Sequence, residues 1–246
     1  MPIPVDARFS GEIEPEGPFR GVEGPIDTLG TMPTAHHDFP NLTILDHPVI
    51  QDRLTRIRDE STPPQRFRRL LDEIAGLMTF RVCRDLPVVE VEVTTPLESM
   101  MGHRLKHPIT LVPILRAGIG MTDGILSMLP EARVGHLGVY RDEETSQPVP
   151  YYQKMPPDIA DGPVLVVDPM LATGGSAIFA LDRMKELGCT NIRLICLVAA
   201  PEGVQCLRDA HPDVPIYTAA LDRCLDEHNY IRPGLGDAGD RIFGTQ

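Results

Sequence analysis

Residues 164–168, Val-Leu-Val-Val-Asp, leave this chain few architectures to choose from. Four apolar residues in succession, three of them Val, read as a short strand buried on both faces, as in a parallel sheet between helical layers. Asp168 ends the strand. A loop from Pro169 to Gly175 then runs into Ser176, after which Ala177, Leu181, Met184 and Leu187 recur at helical spacing until Gly188 stops the helix. A strand, a Gly-containing loop and a helix start together aim free backbone N–H groups and the positive end of the helix dipole at one point. Thr173 and Ser176 add hydroxyl donors, and Gly174 and Gly175 let the backbone approach closely. The layout is an anion cradle suited to a phosphate. Neither Gly-Lys-Ser/Thr nor Gly-x-Gly-x-x-Gly is present, so the two commonest nucleotide loops are excluded. The plain alternative is a solvent-exposed loop between strand and helix.

The rest of the chain extends the same pattern. Ile109–Leu115 is a second buried strand, followed by Arg116-Ala-Gly-Ile-Gly120; Val134–Tyr140, Asn191–Ala199 and Val214–Ala220 read as further strands. Helical spacing marks Val49–Ile57, the segment after Ser61-Thr62-Pro63 (Phe67, Leu70, Leu71, Ile74, Leu77, Met78), and Pro201–Ala210. Strands alternating with helices from 109 to 220 predict a doubly wound, mainly parallel α/β sheet. Crevices at the carboxyl ends of such strands are where ligands bind. An Arg there, beside small residues, suits a diphosphate, because a guanidinium grips two oxygens at once; the alternative is a buried Arg paired with an acid. Gln147–Pro157, with four Pro, two Tyr and Lys154, reads as a mobile flap returning through a short hairpin, and Val88–Thr95 as an exposed strand. His103 and His107, four apart, either bind a metal or are exposed loop or helix residues.

Composition excludes whole classes. The 246 residues carry a net charge of −12, the opposite of a general nucleic-acid surface, so an anionic ligand must be held by local groups. No apolar run approaches the roughly 20 residues of a membrane span and no signal core opens the chain, so a cytoplasmic protein is expected. Cys83, Cys189, Cys196, Cys206 and Cys224 lack metal-ligand spacing and read as reduced thiols. Residues 1–40, rich in Pro and Gly with seven acids against two Arg, read as a poorly ordered extension; residues 41–246 form the domain. In the tail, Gly234, Gly236, Gly239 and Gly244 follow no period and argue against helix or strand, yet Tyr230, Ile231, Leu235, Ile242 and Phe243 can anchor it. An ordered loop of this kind wraps a ligand by its backbone; a frayed terminus is the alternative.

From about Leu42 onward the chain resembles the uracil phosphoribosyltransferases, within the type I phosphoribosyltransferases. The stretches that carry the resemblance are Asp168-Pro-Met-Leu-Ala-Thr-Gly-Gly-Ser176, Val112-Pro-Ile-Leu-Arg-Ala-Gly118, Arg141 at its strand end, and Tyr230-Ile-Arg-Pro-Gly-Leu-Gly-Asp-Ala-Gly-Asp-Arg-Ile-Phe-Gly-Thr245. Most type I members carry two adjacent acids at the strand end; here the second position is Pro169, as in the uracil enzymes. The resemblance implies the type I sheet with a small hood formed by N- and C-terminal segments. It implies transfer of the phosphoribosyl group of phosphoribosyl diphosphate (PRPP) to uracil, giving UMP and pyrophosphate, a pyrimidine salvage reaction.

PRPP would then be held by Asp168 (ribose hydroxyls), by Pro169, Met170, Leu171, Ala172, Thr173, Gly174, Gly175 and Ser176 (the 5-phosphate at 172–176), and by Arg116 (pyrophosphate), Arg141 and Asp237. Uracil would meet Ile231, Gly236, Asp237 and Ala238. Arg116 and Asp237 are the implied catalytic residues, Arg116 on the leaving pyrophosphate and Asp237 drawing the N1 proton. The resemblance also implies a non-proline cis peptide in the Arg116 loop, a flexible loop closing over PRPP, and Mg²⁺ held through PRPP and water without direct protein ligands. A homodimer or homotetramer, in some members activated by GTP, completes the implied picture. Two alternatives share the fold: an RNA-binding pyrimidine-operon regulator, which needs a basic face, and an inactive paralogue serving as a partner subunit, which would lose the phosphate or base loop.

Overall fold

A computed structural model describes residues 36–141 and 148–245. In chain order the elements are β1 (Leu42–Ile44), α1 (Pro48–Arg58), α2 (Pro64–Val82), β2 (Val88–Thr94), β3 (Ser99–Leu105), β4 (Thr110–Leu115), a 3₁₀ turn (Ala117–Met121), α3 (Thr122–Met128), β5 (Arg133–Val134), β6 (His136–Arg141) and β7 (Pro148–Lys154). They continue with β8 (Val164–Val167), β9 (Met170–Leu171), α4 (Gly175–Glu186), β10 (Ile192–Ala199), α5 (Pro201–Ala210), β11 (Ile216–Leu221), β12 (Cys224–Leu225), β13 (Ile231–Arg232) and α6 (Ala238–Phe243).

The main sheet runs β1-β11-β10-β8-β4-β6-β7, parallel throughout except for β7. The double winding predicted from the alternation of elements is therefore present. Its reason lies in the strand residues. Val164 and Val166 join the apolar layer formed with Ala177, Leu181, Met184, Val204 and Leu207 of α4 and α5. Leu165 and Val167 join the opposite layer with Phe67, Leu71, Ile74 and Ile125 of α2 and α3. All four side chains are fully buried, each withdrawing about 1.5–3 kcal/mol of apolar surface from water. A charged residue shares this interior: Arg193 of β10 caps the end of α2 by donating to the Val82 carbonyl and to Asp85.

The chain leaves β4 toward β6 and leaves β8 toward β10 and β11 on the other side. The sheet therefore changes winding direction between β4 and β8, and the carboxyl ends of these two strands open a crevice. The ladder is interrupted beside it. The N–H groups of Leu197 and Val198 both donate to the Pro169 carbonyl, at 2.9 and 3.0 Å, and both side chains turn to the same apolar layer. The pairing with β10 breaks at Asp168–Pro169 and resumes in unchanged register at Met170.

Three expectations change. The segment 148–154 is the return strand of the expected hairpin, paired antiparallel with β6, and is not itself a flap; it is an edge strand, where Pro148 and Pro150 are tolerated because no partner needs their missing N–H groups. The loop residues 142–147 lie outside the described residues, as do 1–35 of the expected N-terminal extension. His103 lies on β3, opposite Glu90 in the β2–β3 hairpin, and His107 follows the strand. Along an extended chain four residues span about 13 Å, so the helical metal geometry fails. Among the described residues no group of three or more His, Cys, Asp or Glu could hold a metal ion. The tail contains helix α6 and strand β13 where its glycines argued against both. Asp237 caps α6 by accepting the Asp240 N–H, and Gly244 closes it at φ +67°, so the helix is specified by its two ends rather than by an internal period.

Helices α2 and α3 meet through glycine. A Cβ on Gly124 would lie 2.1 Å from the Asp72 carbonyl oxygen, and the Gly124 N–H donates to the Asp72 carboxylate at 3.2 Å. Gly124→Ala must force the two backbones apart, and we expect a loss of about 2–4 kcal/mol in urea denaturation. A change below about 0.5 kcal/mol would show that this contact relaxes freely.

Candidate active site

Two strand ends and the tail meet at the winding change. At the first, β8 delivers Asp168, whose N–H is still bonded to the Ile195 carbonyl at 3.1 Å. Its carboxylate accepts the Met170 N–H. Asp168 keeps some contact with solvent but is otherwise enclosed by protein. That enclosure is the main reason its pKa is pushed up to about 7; the Met170 hydrogen bond opposes the shift and the charge of Asp237 adds to it. A carboxylate held this close to its neutral form is poised for a ligand that brings hydrogen-bond donors or positive charge.

Beyond this break in the ladder, Met170 and Leu171 run beside β10 as β9, a two-residue strand inside what the sequence presents as loop. Gly174 then turns the chain at φ +88° and α4 begins at Gly175. No side chain caps this N-terminus and no acid lies in the first turn, so the dipole end of α4 is open to an anion. A Cβ on Gly175 would meet nothing nearer than Thr173 Oγ1 at 4.0 Å, which leaves open space above the helix start. The loop is backed by a residue the sequence did not mark: a Cβ on Gly203 of α5 would lie 2.1 Å from the Ala172 carbonyl oxygen. Nothing in the local pattern of Pro201–Ala210 signals that α5 touches the loop.

At the second strand end, the Leu115–Arg116 peptide is cis, as the resemblance implied. Gly118 lies against β8, where a Cβ would be 2.5 Å from the Val167 carbonyl oxygen, and this holds the Arg116 loop beside Asp168. The Arg116 side chain is not buried. It is 61% exposed, lies 3.8 Å from Asp240 in a loose ion pair, and rests 5.9 Å from the Phe243 ring. Its guanidinium is therefore available to a ligand, and the buried-pair alternative does not hold.

The tail closes the third side. Asp237 is exposed and follows Gly236, which has φ +79° and only the Arg241 Cδ, at 3.6 Å, near a would-be Cβ. Ile231 and Ala238 are buried in the core with 3% exposure each. Whatever these two offer a base comes from their main chain. Arg141 ends β6 with its backbone opposite Pro148, and the loop that follows it lies outside the described residues. Asp168, residues 170–176, Arg116 and Gly236–Ala238 thus converge on one crevice.

Three residues absent from the sequence reading hold this tail. The Arg58 guanidinium meets the Asp222 carboxylate in two 2.7 Å bonds, and both also bind Gly234. Arg241 donates to the Leu235 carbonyl at 2.8 Å and to the Asp59 carbonyl at 2.6 Å, with its guanidinium 4.6 Å from the Phe67 ring. Their long sequence separation leaves no local signal.

Comparison with known proteins agrees with this geometry. A family model described as uracil phosphoribosyltransferase matches residues 44–245. A protein of Halalkalibacterium halodurans with that name is 57% identical over 204 residues, covering 82% of this chain and 98% of its own. One from Streptococcus pneumoniae is 56% identical over 206 residues, covering 83% and 99%. A solved structure from Aquifex aeolicus superposes with a TM-score of 0.80 at 33% identity, over 83% of this chain and 99% of that one. The shared sequence runs through both strand ends and the tail that together build the crevice, and the chain belongs to the uracil phosphoribosyltransferase family.

Proposed function

We propose that the chain transfers the phosphoribosyl group of PRPP to uracil, releasing pyrophosphate and forming UMP. The observation that carries this is the convergence of an uncapped helix N-terminus, a strand-end carboxylate, an exposed Arg and a backbone-lined tail on one crevice. In this reading the open start of α4 and the hydroxyls of Thr173 and Ser176 take the 5-phosphate, with 168–171 completing the PRPP loop. Asp168 in its ionised form accepts from the ribose hydroxyls. Arg116 takes the pyrophosphate, and Arg141 reaches PRPP from the end of β6.

Uracil lies along Ile231, Gly236, Asp237 and Ala238 and is read by main-chain groups. Uracil presents N3–H as donor and O4 as acceptor, and cytosine reverses both. Fixed backbone partners left facing like groups would be unpaired, at about 1–3 kcal/mol each. The C1–O bond to pyrophosphate breaks as the N1–C1 bond forms, and the N1 proton passes to the Asp237 carboxylate. Negative charge grows on the leaving pyrophosphate, where Arg116 stabilises it.

Mg²⁺ fits this arrangement as part of the substrate complex: Pro169 leaves one carboxylate at the strand end, which suits an ion held mainly by PRPP oxygens and water. Its chemistry there is to neutralise the diphosphate. We also infer a homodimer or homotetramer, supported by exposed Val88, Val89, Leu97, Met100, Met101 and Leu105 on the β2–β3 hairpin. GTP activation belongs to the same reading. A groove of about 510 Å³ between α1 and α2 is lined by Arg53, Arg56, Arg66 and Arg69, with Asp52 and Glu73 pairing three of them. Residues 1–40 are proposed as an extension outside the catalytic domain 41–246. No described helix is long and apolar enough to cross a membrane.

The test is UMP formation from uracil, PRPP and Mg²⁺, with cytosine as the control base and GTP present or absent. We expect turnover that requires both uracil and Mg²⁺ and is at least about 10²-fold weaker with cytosine; PRPP binding without turnover would leave the partner-subunit alternative.

Asp237→Asn separates charge from structure, since Asn caps a helix as well as Asp. We expect an unchanged fold and a kcat lower by about 10²-fold or more; near-full turnover would remove Asp237 as the base.

Asp168 predicts a pH dependence. Its folded pKa of about 7 lies above the ordinary 3.8, so this group stabilises the fold at low pH and that stabilisation is lost as pH rises through 7. In Asp168→Asn the loss is absent. The variant should gain in Tm over the parent at pH 8, by on the order of 4 °C, and gain less at pH 5. It should also lose most activity, while the parent's kcat/KM for PRPP rises between pH 6 and 8. Equal Tm differences at both pH values would mean the carboxylate is not perturbed.

A further inference from the structure

A charged pair lies beneath the tail loop, outside the groups that face the crevice. Arg58 is the last residue of α1 and Asp222 the first after β11, and both side chains are withdrawn from water, with 22% and 6% exposure. Their two guanidinium–carboxylate bonds are 2.7 Å each, the bidentate geometry that fixes orientation as well as distance. The same pair binds both main-chain groups of Gly234. The Gly234 N–H donates to Asp222 Oδ2 at 2.8 Å, and Arg58 Nη1 donates to the Gly234 carbonyl at 2.8 Å. One peptide segment is therefore clamped from both sides. Asp222 is itself fixed, because its N–H bonds the Ala199 carbonyl at 2.8 Å, at the end of β10.

The clamped residue is one that only glycine can occupy. Gly234 has φ +61°, and a Cβ there would lie 2.1 Å from the Ile231 carbonyl oxygen. Gly234 stands between Ile231 and Gly236, the two ends of the backbone proposed to read the base. A two-stranded ribbon, β12–β13, and the buried side chains of Ile231 and Leu235 hold the flanks. Arg241 adds a bond to the Leu235 carbonyl, but among the described residues only the Arg58–Asp222 pair bonds both main-chain groups of Gly234. A buried ion pair adds little net stability compared with apolar residues of the same size. What it supplies at this place is direction.

We propose that the Arg58–Asp222 pair is a positioning device for the base: it sets the Ile231–Gly236 backbone at the height where its donors and acceptors meet the pyrimidine, and it leaves the PRPP loop untouched. The inference rests on the uracil-transfer reading. Neither side chain touches substrate, and both act through Gly234. Most PRPP groups depend on other elements, namely β4, β6, β8, α4 and α5, and Asp237 is held separately through its cap on α6.

Steady-state kinetics and hydrogen exchange test it on the full chain, with the parent measured first. Arg58→Lys keeps the charge but cannot hold both carboxylate oxygens and the Gly234 carbonyl. We expect its KM for uracil to rise about ten-fold or more while its KM for PRPP stays within about two-fold. The paired variant Arg58→Met with Asp222→Leu removes both charges together, so no unpaired ion is buried. It should fold with a Tm within a few degrees of the parent, keep the raised uracil KM, and exchange the amides of 234–236 faster than the parent while those of 172–176 stay unchanged.

A uracil KM restored in the paired variant overturns the proposal, because the clamp would then be only structural. Parallel rises in both KM values overturn it too. If the parent shows no uracil-dependent turnover, the function reading fails, and exchange alone then decides: unchanged protection at 234–236 in the paired variant shows that the pair does not hold the loop.

Discussion

The site depends on β8 being buried on both faces. Val164, Leu165, Val166 and Val167 alternate between two helical layers with almost no contact with water, so the strand can neither slip by one residue nor turn over. The first polar side chain after them, Asp168, must therefore leave the sheet at one height. The strand ladder breaks at Pro169, whose carbonyl accepts from both Leu197 and Val198, and the loop meets the start of α4 within a few residues. Cutting β8 short or slipping its register would move the carboxylate and the helix N-terminus together. That is why a strand of four residues positions two halves of a binding crevice.

The same burial creates a conflict that the protein retains. Asp168 would be easier to bury as an amide, yet an amide accepts through one oxygen only, whereas a carboxylate offers two to the ribose hydroxyls proposed to meet it. Enclosure raises its pKa, and Asp237 across the crevice raises it further. The ligand side of this balance is donors and cations arriving with PRPP. Arg116 illustrates the reverse choice. It stays mostly exposed, with its guanidinium loosely held over α6, and so remains free to meet a diphosphate. In a chain of net charge −12, binding an anion of high charge has to be local. In the proposed reading the open N-terminus of α4 and one or two guanidiniums provide it without a basic surface.

Legibility in the sequence followed locality. Four Val and Leu residues before an Asp, then Thr-Gly-Gly-Ser, specify strand, turn and helix start within thirteen residues, and each is found where the pattern puts it. Helix α5 is found over its predicted residues, Pro201–Ala210, because its apolar spacing and its Pro at N1 are both short-range signals. The tail went astray for the opposite reason. Six residues of helix carry no period to detect, and α6 is written in its ends, Asp237 and Gly244. The segment 147–157 misled because four Pro suggest a loop, whereas the two that fall in β7, Pro148 and Pro150, are tolerated on an edge strand. The residues that were invisible, Arg58, Asp222, Gly203 and Arg241, all act on partners far away in the chain or on backbone alone.

That division follows from what each part has to do. A phosphate is a large fixed charge, and any helix N-terminus with room above it will attract one, so its cradle can be written in one short stretch. A pyrimidine base is distinguished from another by the direction of two hydrogen bonds, and directions are kept only by something that holds the backbone from outside. In the proposed reading Gly236 is bare so that the base can approach, and a bare Gly-rich turn has little rigidity of its own. The stiffness must come from elsewhere in the fold. Here it comes from Arg241 on Leu235, from the cap of α6 on Asp237, and from a buried ion pair on Gly234. In the proposed reading, discrimination between bases therefore draws on residues from α1, the turn after β11 and α6 that no single stretch of sequence brings together.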